Sequence, residues 1–183
     1  MNGTLPMISV EARQPFLAGS VATNDRVWNM IGRDVVSPQT SNIAYHALAK
    51  AKVMVAAMAM HWSDERRHRL FAQLDRLHDV SEWEPGDRPV SPQSFETFLR
   101  TMIVLKPGRG PNLGLSHQGN LLAVWGTARD RVTLEFLASD RLRWTLTHVT
   151  PDGQTVRNAG DGPAFSIRDL LSPYNPTHWF DAP

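Results

Sequence analysis

Between residues 41 and 105 the apolar positions recur every three or four residues, and from 113 to 149 they alternate. The first spacing belongs to amphipathic helices, the second to half-buried strands. Three helices follow from the first. Thr40 or Ser41 can cap a helix from Ile43 to about His61, whose run A-L-A-K-A-K-V-M-V-A-A-M-A-M is rich in small, helix-favouring residues. That composition predicts a central core helix, with a Met-rich binding groove as the competing use. Ser63 caps a second helix running to about His78. Asp64 and Glu65 occupy its first turn, and Leu70, Phe71, Leu74 and Leu77 form one apolar stripe. After a Pro- and Gly-bearing loop, Ser91 followed by Pro92 opens a third helix to about Leu105, burying Phe95, Phe98, Leu99, Met102 and Ile103.

The run K-P-G-R-G-P from Lys106 cannot be helical, and a meander follows it. Leu113 and Leu115 start it, and Gly119–Asn120 is a turn. Leu121–Trp125, Val132–Leu137 and Leu142–Val149 are strands, and Thr155–Arg157 is a candidate fifth. Asn158–Pro163 reads as loop, Ser166–Leu171 as a short helix, and the tail from Ser172 as an extended strap. The expected organisation is an irregular segment over 1–40, with a helical turn at Arg26–Ile31, then a helical part over 41–105. A sheet part over 106–171 and a tail over 172–183 complete one domain. The fold class is α+β: about three N-terminal helices packed on one face of an antiparallel meander of four to five strands.

Parity sharpens the sheet. Val132, Leu134 and Phe136 must share a face with Leu142, Trp144 and Leu146, because a one-residue slip would put one set in water. That selects the odd loop Ala138-Ser139-Asp140, sets Leu134 opposite Trp144 and Glu135 opposite Arg143, and turns Trp144 inward. Leu121–Trp125 is apolar on both faces, so its second face should be covered by the N-terminal segment, the tail or a partner.

Composition narrows the function classes. The 19 basic and 18 acidic residues give a formal charge of +1, with no strongly basic half for a large nucleic-acid or membrane footprint. With no cysteine there are no disulfides, thiolate metal sites or cysteine nucleophiles. The N-terminus lacks a secretory pattern, and the longest apolar run, Val53–Met60, is too short to cross a bilayer. A cytoplasmic, bacterial protein is the expectation.

The densest chemistry is H-W-S-D-E-R-R-H-R-L-F-A-Q-L-D-R-L-H-D, with three histidines and four carboxylates. At 100° per residue, His61, Glu65, His68, Asp75 and Asp79 fall within about 40° of one line. They lie opposite the apolar stripe, among Arg66, Arg67, Arg69 and Arg76. A zincin needs two histidines four apart with Glu after the first, which is absent, so the face reads as solvated. A hydrolase site around His61, Glu65 and His68 is one alternative. K-P-G-R-G-P lacks the spacing of a phosphate loop and reads as a connector. Arg129, Arg131, Arg141 and Arg143 on one hairpin suggest nucleic-acid binding as another alternative, although a stacking platform needs outward aromatics.

The run S-H-Q-G-N-L-L-A-V-W, followed by V-T-L-E-F and D-R-L-R-W-T-L, resembles small uncharacterised bacterial proteins that share a G-x-[LI]-x-x-x-W strand and then an L-x-[LIF] strand. The likeness covers about residues 111–146. Gly119, Leu121 and Trp125 fit the first element, Leu134 and Phe136 the second. This resemblance implies no activity.

With no catalytic constellation, metal site or cofactor motif, the sequence points to a non-catalytic protein-binding partner, such as an accessory subunit or an antitoxin- or immunity-like neutralising protein. The partner would be another protein or a second copy. Leu122, Val124, Tyr174, Trp179 and Phe180 are the expected contact residues, because aromatic side chains anchor interfaces.

Overall fold

The computed structural model describes residues 37–127 and 129–181. The chain divides into the units Met1–Val35 and Val36–Pro183, and the elements below belong to the second. The expected helical turn at Arg26–Ile31 lies outside the described residues.

The helices are α1 (Pro38–Met58), α2 (Asp64–Leu77), α3 (Pro92–Leu105), α4 (Ile167–Leu171) and α5 (Thr177–Phe180). The strands are β1 (Asn112–Leu115), β2 (Leu121–Gly126), β3 (Asp130–Phe136), β4 (Arg141–Val149) and β5 (Thr155–Pro163). They form one open antiparallel sheet in the order β1-β2-β3-β4-β5. The fold is α+β with five helices among the described residues rather than about three. The other two are short and follow the sheet: α4 stands where a short helix was expected over Ser166–Leu171, whereas α5 and a 3-10 turn at Ser172–Tyr174 replace the expected extended tail.

α2 and α3 start at the expected caps, Ser63 and Ser91. α1 does not. It begins five residues before Ile43, because Ser37 is the N-cap, its hydroxyl accepting from Thr40 N–H, and Pro38 supplies the first helical residue. The segment expected to be irregular up to residue 40 therefore gives its last residues to a helix.

The layering also differs from expectation. α3 packs on β2 and β3, α2 packs on β1, and α1 packs on α2 and α3. The central helix is thus α3, with Phe95, Phe98, Leu99, Met102 and Leu105 buried along with Ser94, Thr97 and Thr101. Among the described residues α1 is the outer layer, with Ala44, Ala51 and Val55 as its buried positions. Ser94 joins helix to sheet. Its Oγ–H donates to the Phe136 carbonyl (2.6 Å) and its oxygen accepts from Leu121 N–H (2.7 Å), next to the last β2–β3 pair, Leu122–Glu135.

In the sheet, Leu134 faces Trp144 and Glu135 faces Arg143, as parity required, and Leu137 N–H bonds to the Arg141 carbonyl across the three-residue loop. Arg143 Nη1 lies 3.5 Å from the Glu135 carboxylate. β5 is the main departure. Asn158–Pro163, read as loop, extends the strand to nine residues. Its glycines answer to neighbours on the inner face. A Cβ on Gly160 would stand 2.7 Å from the Trp144 ring, and one on Gly162 2.7 Å from Leu170. These side chains cover the strand in place of side chains of its own, so no alternation marks it in the sequence.

His78, at the end of α2, is buried. Its Nδ1–H donates to the Leu74 carbonyl (2.8 Å) and Nε2 accepts from Val90 N–H (3.4 Å), an arrangement that requires the neutral ring. Burial pushes its pKa below the usual 6.5, and Lys52 adds to this, while the Leu74 bond and Asp75 oppose it. An unfolded histidine takes its proton near 6.5, the folded one only at lower pH. Between the two the unfolded chain binds more protons, so this contribution is complete above 6.5 and is lost as pH falls through the folded value. Melting temperature should therefore drop more steeply below pH 6.5 for the wild type than for His78→Gln. Parallel curves for the two proteins would contradict this assignment.

Candidate functional site

The sequence-predicted residues separate into distinct places. Trp179 and Phe180, expected at a partner surface, are 4 % and 0 % exposed and lie in the core. The Phe180 ring meets Trp125 edge-on at 5.1 Å, and its carbonyl accepts from Gly108 N–H (2.7 Å). Tyr174 is half-buried against Trp144, with ring centroids 5.8 Å apart. The tail is thus an internal element on the inner side of the sheet, because Trp125 shares the inner face with Leu121 and Ala123. It does not cover the second face of β2. There Leu122 and Val124 stay half-buried beside Glu135 and Thr133, as on the solvated side of an antiparallel sheet.

Arg131, Arg141 and Arg143 are exposed on that outward face, and Arg129 is exposed beside β3. Arg157 of β5 joins them, because β5 pairs with β4 in the register that sets Arg157 opposite Thr147. Arg131 and Arg157 flank Thr147, which points outward yet is 8 % exposed. Long arginine stems shelter such a residue. Arg143 is matched by Glu135 and Arg141 by Asp161. Trp144 points inward, opposite Leu134, and the described outward positions carry no aromatic side chain for base stacking.

His61, Glu65 and His68 are all exposed. His61 lies in the turn before α2 with its ring on Trp62, and Glu65 is bound by Arg69 at 2.5 Å. Asp75 pairs with Lys52, and Asp79 accepts from Ser81 N–H and Oγ–H, bonds that hold its carboxyl below the usual range. Among the described residues, no group of three His, Asp or Glu side chains could hold a metal ion. No helix among them is long and apolar enough to cross a membrane.

What the tertiary structure exposes instead is the outward face of α1. At 100° per residue, Tyr45, Ala49, Val53 and Ala56 fall within about 80° of arc, opposite Ala44, Ala51 and Val55. Tyr45 and Val53 are each 67 % exposed, and Met60 just beyond the helix is 70 % exposed. His46 and Lys50 border this stripe on one side. Lys52, paired with Asp75 at 2.5 Å, borders it on the other, and α1 contains no carboxylate. An apolar helix face is ordinarily buried, and among the described residues this one is open. The sequence carried the composition of this helix but not its position in the outer layer.

Comparison with protein-family models, with curated proteins and with solved structures gives no significant match.

Proposed function

We propose that this protein is a non-catalytic protein-binding subunit, accessory or neutralising in role, and that it docks through the outward face of α1. One observation carries the reading: the exposed apolar stripe Tyr45, Ala49, Val53 and Ala56 on a 21-residue helix. Such a helix is about 31 Å long, enough for one side of an ordinary interface. Its alanines permit close approach, while Tyr45 offers a large anchor with little side-chain entropy to lose. The bordering cations favour a partner whose apolar surface is margined by carboxylates, and Lys50 of each copy disfavours an antiparallel pair of α1 helices.

The full chain and a Tyr45→Ser, Val53→Asp variant, each immobilised, should melt within about 1 °C of one another, since surface changes cost little. The wild type should retain a protein from host lysate that the variant does not, and added salt should weaken that retention. Retention of the same proteins by both, or of none by the wild type, would refute the reading. A concentration-dependent dimer of the wild type, abolished in the variant, would reassign the occupant to a second copy.

A further inference from the structure

We propose that the cleft between α2 and the 106–111 loop is a binding site for a small phosphate-bearing anion of the pyrophosphate class. Two adjoining depressions, of about 290 and 410 Å³, share Arg69, Gln73, Gly110 and Pro111. Arg66 and Glu65 line the first, Arg76 and Arg109 the second. Four guanidiniums therefore face one carboxylate, and that carboxylate is engaged by Arg69. Arg66, Arg76 and Arg109 have no ion-pair partner among the described residues.

Arg66 is the most telling of them. Its guanidinium lies over the Trp62 ring at 4.3 Å and is half-buried, and that burial pushes its pKa down with no carboxylate to offset it. A ligand anion would supply the missing counter-charge in a partly desolvated place, where charge-assisted bonds are strong. The loop wall is held firmly. Gln73 donates to the Pro111 carbonyl (3.2 Å) and accepts from Leu113 N–H (2.8 Å), which ties the loop to α2. Gly110 leaves the wall open, since a Cβ there would meet nothing within 4 Å. Two guanidiniums line the first depression and three the second, and several planar forks suit a multiply charged tetrahedral group better than a single carboxylate, which one arginine would already neutralise. The volumes suit one or two phosphate groups with a small substituent rather than a polymer. This site lies apart from the outward face of α1 and does not depend on it.

Isothermal titration of the full chain with inorganic pyrophosphate at ~50 mM salt tests this, with orthophosphate and a nucleoside diphosphate as parallel arms. Pyrophosphate should bind with one-to-one stoichiometry and raise the melting temperature. Tighter binding of the nucleoside diphosphate would mark a nucleotide as the source of the phosphate groups, and weaker binding a free anion. Because Arg66 also covers Trp62, its replacement can unfold the chain. Arg76→Gln and Arg109→Gln, both at exposed positions, carry the test instead. Each should weaken binding by roughly tenfold to a hundredfold, whereas Arg129→Gln with Arg131→Gln should leave it unchanged. No saturable binding of pyrophosphate, or an equal loss in the remote pair, would overturn the proposal.

Discussion

Replacing Phe180 by alanine should destabilise the protein by about 3–5 kcal/mol, the range for truncating a fully buried phenylalanine. Melting temperature should fall by about 6–20 °C in thermal denaturation followed by circular dichroism. Phe180 is 0 % exposed and lies edge-on to Trp125 with an interplanar angle of 85°. Around it the tail is bound to three other parts of the chain. Gly108 N–H reaches the Phe180 carbonyl (2.7 Å), and His178 Nε2 lies 2.8 Å from the Asp130 carboxylate of β3. Arg168 grips the Asp181 carboxylate through two bonds of 3.0 and 2.8 Å and donates to the Leu105 carbonyl (3.1 Å) at the end of α3. Alanine would leave a cavity where α3, the 106–111 loop and β2 converge. A loss below about 1 kcal/mol would be typical of a surface change and would sink the strap assignment.

Gly119→Ala should cost about 2–5 kcal/mol in urea unfolding, through two separate penalties. The residue sits at φ +79°, where an L side chain is strained, and an added Cβ would stand 2.3 Å from the Pro89 carbonyl oxygen. That oxygen belongs to backbone just ahead of α3, where Ser91 N–H is bonded to the Gly119 carbonyl (2.8 Å), so it cannot turn aside as a flexible side chain could. Gly153→Ala separates the two effects. Gly153 has φ +83° but open space around it, so it should lose only the conformational part, about 1–2 kcal/mol. Equal losses at the two positions would show that the approach to Pro89 is unimportant. The first residue of the G-x-[LI]-x-x-x-W pattern thus has a steric requirement, and Leu121 and Trp125, which complete it, are 0 % and 2 % exposed.

Where neighbouring residues along the chain carry the physics, the sequence was sufficient. Ser63, whose hydroxyl accepts from Arg66 N–H, and the Ser91–Pro92 pair, where proline supplies the first helical residue, act within one helical turn and placed α2 and α3. The β3–β4 register followed from alternation alone, because only one parity keeps Val132, Leu134, Phe136, Leu142, Trp144 and Leu146 together out of water. The start of α1 was equally local. Ser37–Pro38 is the same serine–proline pair as Ser91–Pro92, and it lies three residues ahead of Thr40, the earlier of the two expected caps.

The remaining features depend on contacts between residues far apart in the chain. β5 is a strand because Trp144 and Leu170 cover its glycines, and no property of R-N-A-G-D-G-P announces those neighbours. Trp179 and Phe180 were legible as apolar, but apolarity does not distinguish a core residue from an interface residue. Burial against Trp125 and the 106–111 loop did that. The arginine cleft joins Arg66 of α2 to Arg109 across the whole of α3, a separation over which charge patterning gives no signal. α1 shows the division most plainly. Its small apolar residues determined that it is helical and suited to close packing. How far that packing is met among the described residues was decided by layering: α3 occupies the place against the sheet, and α1, resting on α2 and α3, has one apolar side that none of them covers.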